Sequence, residues 1–473
     1  SLGTNNDSFN TGFKLNDKNQ NVSINGTAGD FNYLGYFNLS GVDGLSSARS
    51  NSGETFETDK YVSKNALAKL GYKFDNSLKI DAFLNYDEFD GDYDAGAYGD
   101  NLDNNSKSYQ IRYGVRPSYK YNKGEVYALV SLNEVERKLK SFNSFSNELQ
   151  DYKYTGTSVN VDLVNRIEFL DKKFQVITGI NYQDHRNQTN TPFATIEENL
   201  ANFNTVDPYT SLVYISDFGL NVNAGVRMNI HSNYGNHFVY DGNVSYNLFN
   251  EENYDVKLLV SYGTAFIAPS TYQLFSQYGN LNLDPESSTT FELGFESRYE
   301  KVKFNAVYFN REVEDAIFFK SLTAAPWATY DNATTNVETS GIEALVEYAP
   351  IKKLKLNVNY TYTDKEEGND YIPTHKLVAM VEGNPFKNTF ASLVYRNTGE
   401  RTYFDQYGSF GTAGETVTLA NYSLLDFNIN HKLLNDKVTF FGSVTNLLNE
   451  DFEETLGYST RGRNYKLGVR LQF

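Results

Sequence analysis

The chain has 473 residues and carries 59 acidic against 42 basic side chains. The resulting formal charge of −17 excludes the basic footprint of a nucleic-acid binder. Cysteine is absent, so there is neither a disulfide framework nor a thiolate metal site, and no apolar run approaches the roughly 18 residues that a membrane helix needs.

Taken in order, period-two alternation predicts strands near 8–16, 20–28, 31–41, 59–74, 77–89, 106–121, 125–141 and 152–170. The pattern continues near 174–187, 208–216, 219–230, 237–249, 254–265, 287–299, 302–319 and 329–348. It closes with 354–364, 371–384, 388–403, 419–432, 437–450 and 461–473. In the last of these, Tyr465, Leu467, Val469, Leu471 and Phe473 fall on one face, and Lys466, Gly468, Arg470 and Gln472 on the other. Only 9 prolines occur and no Ser/Gly-rich spacer divides the chain, so it reads as one unit. No secretion leader is visible at Ser1, which predicts a mature or trimmed form.

The connections alternate too. Short polar turns such as Gly29-Asp30, Asp75-Asn76, Asp171-Lys172-Lys173 and Leu434-Asn435-Asp436 take turns with long segments near 42–58, 90–105, 188–207, 266–286 and 404–418. Tight hairpins on one side and long loops on the other are the asymmetry of an outer-membrane barrel. Mean hydropathy of −0.53 with 37 Tyr and 34 Phe fits a wall in which every second residue meets lipid and aromatic girdles line both interfaces. The expected fold is all-β: a transmembrane antiparallel β-barrel of about 22 strands, with short periplasmic turns and long extracellular loops, in the bacterial outer membrane. A solenoid or propeller is the rival, but no internal repeat supports it.

Four segments carry a family resemblance. Ser261 to Ser270 ends a strand in Phe266-Ile267-Ala268-Pro269, and Tyr278 to Glu286 follows with Gly279-Asn280-Leu281-Asn282-Leu283-Asp284-Pro285-Glu286. Asn336 to Glu343, Ile372 to Lys376, and the pair Val444 to Phe452 with Gly457 to Asn464 come next, in that order. This C-terminal half resembles TonB-dependent outer-membrane receptors; the N-terminal half is similar only in strand rhythm. Ser261 to Glu286 and Gly457 to Arg463 most resemble the cobalamin receptors of that family, with siderophore and haem receptors as alternatives. The resemblance implies a nutrient ligand such as cobalamin bound at the extracellular loops, with a plug domain and TonB as partners and no bond chemistry. A surface lipoprotein over the loops is a further partner to consider. The family's N-terminal plug has no counterpart in Ser1 to Phe473. The expectation is a plug that was removed or lies outside this chain. A plug supplied by another polypeptide, and a plugless passive pore or structural subunit, remain the alternatives.

Two sets of residues are candidates for a site. Asp87, Asp90, Asp92 and Asp94, with Asp100 and Asp103 beyond, cluster on a glycine-containing loop that could coordinate Ca²⁺ through carboxylate oxygens, with Asn147 to Asp151 as a second source. The alternative is a solvated acidic loop. Tyr93, Tyr98, Tyr272, Phe275, Tyr278 and Tyr403, with Phe404 beside the last, are the loop aromatics that could hold a large amphipathic ligand, against loop self-packing. The histidines do not form a metal set, except for a pairing of His231 and His237 around one loop. No nucleophile, phosphate loop or triad stands out, so no enzymatic activity is expected. Lys466 and Arg470 are expected in the polar lumen lining.

Overall fold

The computed structural model describes every residue except 10–11, 323–327, 366–370 and 406–413. Each long strand pairs antiparallel with its sequence neighbours, and the sheet closes on itself into a barrel of 22 strands. Alternation explains why. Leu163 faces Ile180, Val244 faces Val260 and Leu258 faces Phe295 across neighbouring strands, so one face of the wall is apolar. These side chains stand outward, between 37% and 48% exposed, as residues that meet acyl chains must. Closure pairs the strands along both edges, as backbone groups in lipid require, except along the seam beside Leu2–Gly3.

The opposite face is polar and internally bonded. Asn19 donates to Asn38, Asn38 to Asn65 and Asn65 to Asp87, at 2.9, 3.3 and 2.6 Å, a rung crossing four strands. Elsewhere in the lumen Arg227 pairs with Asp207, Arg298 with Asp255 and Arg396 with Asp426. Lys466 pairs with Asp17 at 3.0 Å.

The closing strand is a correction to the sequence reading. No strand forms among the described residues of 8–16; the first strand is Leu2–Gly3, which pairs with Asp17 and Lys18 on one side and Lys466 and Leu467 on the other. The apparent alternation of Phe9 and Phe13 does not bury them; both are at least 70% exposed. What fixes the join is Asn464. Its buried amide accepts from Thr4 Oγ1 and the Asn6 N–H, both at 2.8 Å, and donates to the Asn6 carbonyl at 2.8 Å. Below Leu2, the strands Asp17–Ala28 and Asn464–Leu471 show no pairing with each other among the described residues. Val22 and Leu467 beside this seam are 70% and 68% exposed, well above their counterparts elsewhere in the wall.

Other strands are also shorter than their patterns suggest, among them the predicted 437–450, which ends at Thr445. The barrel strands end at Glu314 and begin again at Val337, and the intervening Ile317–Ser321 and Ala328–Asn332 pair as a separate hairpin above the rim. Asp315, at φ 54°, turns the chain out of the wall. The predicted 388–403 strand likewise stops at Thr398, and Arg401–Asp405 pairs with Glu415–Leu419. At the other rim the turns are tight. Leu434, Asn435 and Asp436 all adopt positive φ, as do Leu170, Asp171 and Lys172.

Candidate functional site

The long-loop rim carries two constellations. The first is aromatic. The segment after Tyr254–Ile267 forms a short helix, Thr271–Phe275, started by a capping box in which the Ser270 hydroxyl accepts from the Gln273 N–H. Gly279 allows the return: a Cβ there would lie 2.4 Å from the Leu274 carbonyl oxygen. The loop is braced by the rim hairpin. Tyr330 N–H donates to the Tyr278 carbonyl at 3.1 Å, Asn280 Nδ2 to the Tyr330 carbonyl at 3.0 Å, and Tyr278 meets Phe319 edge-on at 5.3 Å. Tyr272 packs edge-on against Tyr330 at 6.2 Å.

So held, the loop reaches over strands far from its own anchors. Tyr272 lines a 550 Å³ cavity with Asn133, Val135, Arg137, Leu139, Tyr154 and His185, on strands Gly124–Asn143, Glu148–Phe169 and Phe174–Asn190. Four strands intervene between Glu148–Phe169 and the loop's first anchor. An adjoining 270 Å³ cavity shares Tyr154 and Tyr272 and adds Tyr152, Phe193 and Gln277. Such a concave, aromatic-walled space with a few polar groups suits a large amphipathic ligand.

Of the six aromatics singled out from the sequence, Tyr272 alone lines these cavities. Tyr278 braces the loop from behind, and Tyr93 sits beside the cavity, its hydroxyl donating to the Lys140 carbonyl at 3.0 Å. Phe275 is half-buried in the short helix. Tyr98 and Tyr403 are elsewhere: Tyr98 donates to Glu453, and Tyr403 stacks on Tyr371 at 5.2 Å. Tyr152, Tyr154, Arg137 and Phe193 were not anticipated. The first three alternate toward the lumen near the top of two long strands, a register signal that the sequence does contain.

The second constellation is acidic. Asp94 is 7% exposed and saturated with donors. Its Oδ2 accepts from Ser46 Oγ at 2.8 Å and the Ala48 N–H at 2.6 Å, and its Oδ1 from the Asn101 N–H at 3.0 Å. Burial works to raise its pKa, but these bonds outweigh it and hold the carboxyl below its ordinary value. Glu57, Asp94 and Asp100 each bring one oxygen within 4.8 Å of the others. Glu57 is pushed up to about 7, first by desolvation and then by its hydrogen bond with Asp100. Glu57 Oε2 and Asp59 Oδ1 are buried without a hydrogen-bond partner in the structure. An all-oxygen donor set with orphaned carboxylate oxygens fits a hard cation such as Ca²⁺.

Of the acidic residues singled out from the sequence, the structure brings some together and not others. Asp94 and Asp100 converge, joined by Glu57 from the neighbouring loop. Asp87, Asp90 and Asp92 lie on the strand Leu78–Asp92 and are otherwise engaged: Asp87 with Asn65, Asp90 with Lys107 at 3.2 Å, Asp92 with Asn105 at 3.0 Å. Glu148 to Asp151 belong to the strand Glu148–Phe169 and do not join the set. The node is tied to the closing loop through Gly457, at φ 78°, whose carbonyl accepts from the Arg49 and Tyr98 N–H groups at 2.9 and 3.0 Å. Arg49 then pairs with Asp451 at 2.6 Å.

His185, Phe203 and His231 stack at 4.7 and 4.9 Å, and His237 stacks on Phe266 at 3.8 Å. These histidines are packed against rings and form no three-ligand metal group among the described residues.

Known proteins resemble this chain in sequence or in fold. A vitamin B12 transporter, BtuB, of Vibrio cholerae serotype O1 is 28% identical over 255 residues, covering 53% of this chain and 39% of that protein. The chain thus spans well under half the length of the curated relatives it matches. Among solved structures, the siderophore receptor PirA of Acinetobacter baumannii superimposes with a TM-score of 0.80 at 14% identity, covering 96% of this chain and 77% of its own. A mutant ferric enterobactin receptor, PfeA, of Pseudomonas aeruginosa gives a TM-score of 0.81 at 14% identity, covering 100% and 79%. At such identity these two speak for the fold. Residues 2–447 match the TonB dependent receptor-like β-barrel family, and the chain belongs to that family of outer-membrane barrels.

Proposed function

We propose that this barrel binds and passes a bulky, scarce nutrient across the outer membrane, and that the nutrient is cobalamin or a related corrinoid. The observation that carries the reading is the aromatic cavity under the Thr271–Phe275 loop, where Tyr154 and Tyr272 offer flat apolar faces at the outer mouth. The name of the Vibrio cholerae relative favours a corrinoid over a ferric siderophore. In the complete receptor, a plug would occupy the lumen and TonB would pull on it to release the ligand. Ca²⁺ held by Glu57, Asp94 and Asp100 would lock the loops 46–58 and 93–104 together beside the mouth.

The test is complementation. The full-length receptor is expressed in a strain without its own corrinoid receptor, and uptake of radiolabelled cyanocobalamin is measured with and without functional TonB. TonB-dependent uptake is the expected result. Rescue of growth on a ferric siderophore with no corrinoid uptake would move the ligand to the siderophore class. Energy-independent flux of unrelated solutes would overturn the importer reading in favour of a passive pore.

A further inference from the structure

We infer that Arg137 reads a negatively charged group on the ligand, so that the mouth cavity selects a bulky ligand that presents an anionic oxygen group, the phosphodiester in the case of a corrinoid. The inference rests on the cavity being the ligand site and adds the chemistry by which it discriminates.

Arg137 lies on the lumen face of Gly124–Asn143, in register with Asn133, Val135 and Leu139, the residues that line the 550 Å³ cavity. The residues directly across from it on the two neighbouring strands are Ser108 and Tyr154, both uncharged. Among the described residues it has no carboxylate partner, whereas the lumen arginines 227, 298 and 396 each rest on an aspartate. Arg112, Arg116 and Arg470 also lack an ion pair among the described residues, but Arg137 is the arginine that lines this cavity. An exposed guanidinium set among tyrosines and left unpaired is a site prepared for an anion from outside. Its planar fork matches two oxygens of a phosphate, while Tyr154 and Tyr272 hold the apolar body of the same ligand.

Corrinoids provide the contrast. Cyanocobalamin carries a phosphodiester in its nucleotide tail, and cobinamide has the same ring without it. Binding of both to the full-length receptor in detergent micelles is measured by titration calorimetry, for the wild type, Arg137→Ala and Arg137→Lys. A charge-assisted bond of this kind predicts that Arg137→Ala weakens cyanocobalamin roughly tenfold or more, with cobinamide within about twofold and Arg137→Lys intermediate. An unchanged heat-dependent gel mobility shows that the variant barrels are folded. Equal losses for both ligands, or no loss for either, overturn the inference while leaving the corrinoid reading in place. If the wild type binds neither corrinoid, the corrinoid reading fails, and the same proteins are titrated with a ferric triscatecholate, which is triply negative. A selective loss in Arg137→Ala there still supports an anion-reading Arg137. Equal affinity for the two proteins, or no binding at all, overturns it.

Discussion

The acidic node and the aromatic cavity stand on the same rim and are made by the same kind of long loop, yet they are built in opposite ways. At the node, polar atoms find each other: Asp94 accepts from two backbone N–H groups and from the hydroxyl of Ser46, and Gly457 holds two more N–H groups. At the cavity the bracing lies behind the loop, between Tyr278, Asn280 and the rim hairpin, and Tyr272, Tyr154 and Arg137 are left facing open space. The difference separates a joint from a binding surface. Satisfied buried polar groups fix loops in place. Groups with unspent bonding capacity around a concavity are positioned for something else.

The sharpest way to break this comparison is Asp94→Ala. It strands the Ala48 and Asn101 N–H groups, each at a cost of about 1–3 kcal/mol when buried. The expected result is much faster proteolysis at residues 46–58 with the barrel wall intact; an unchanged cleavage rate would remove Asp94 as the joint. Next in size, Tyr272→Ala is expected to weaken ligand binding about tenfold, as loss of one stacked aromatic face does, while the thermal midpoint holds because the ring is half exposed. A fall in midpoint with unchanged affinity would make the ring a packing residue.

Glu57 supplies a pH test. Its folded pKa, about 7, lies above the ordinary carboxyl value of 4.5, so the folded state holds the proton more tightly than the unfolded chain. Without a cation, the loop contact is therefore most stable below about pH 4.5 and weakens as pH rises through 7. Ca²⁺ must displace the Glu57 proton, so its affinity is expected to rise between about pH 6 and pH 8. Loop protection against protease, followed with Ca²⁺ and with EDTA across this range, gives both slopes. A flat profile in both would end the cation reading. The smallest effect belongs to Asp90→Asn, whose side chain pairs with Lys107 outside the node: Ca²⁺ protection should be unchanged.

Much of this was legible in residues. The outward positions of Tyr465, Leu467, Val469 and Leu471, and the turn at Leu434 to Asp436, follow from alternation and turn chemistry alone. Glu57 was not, because it lies 37 positions before Asp94, on the other loop flanking the hairpin Asp59–Lys73 and Leu78–Asp92. That hairpin returns the chain to the same rim, so topology carried the clue where spacing did not. Phe9 and Phe13 misled for the opposite reason: they fit the alternation, but the join beside Asp17 is made by Leu2–Gly3.

The order of side chains along the chain determined the wall by itself, because a period of two commits every strand to one wet and one greasy face wherever it lies in the sheet. Only the closed sheet decided which loop residues meet. The cavity needs a loop to cross four strands' width to reach Tyr154, and the acidic node needs three separate loops brought to one corner of the rim. Loops carry no period that could encode such distances. Their partners are set by the circumference of the barrel and by the backbone groups each loop must satisfy once it arrives.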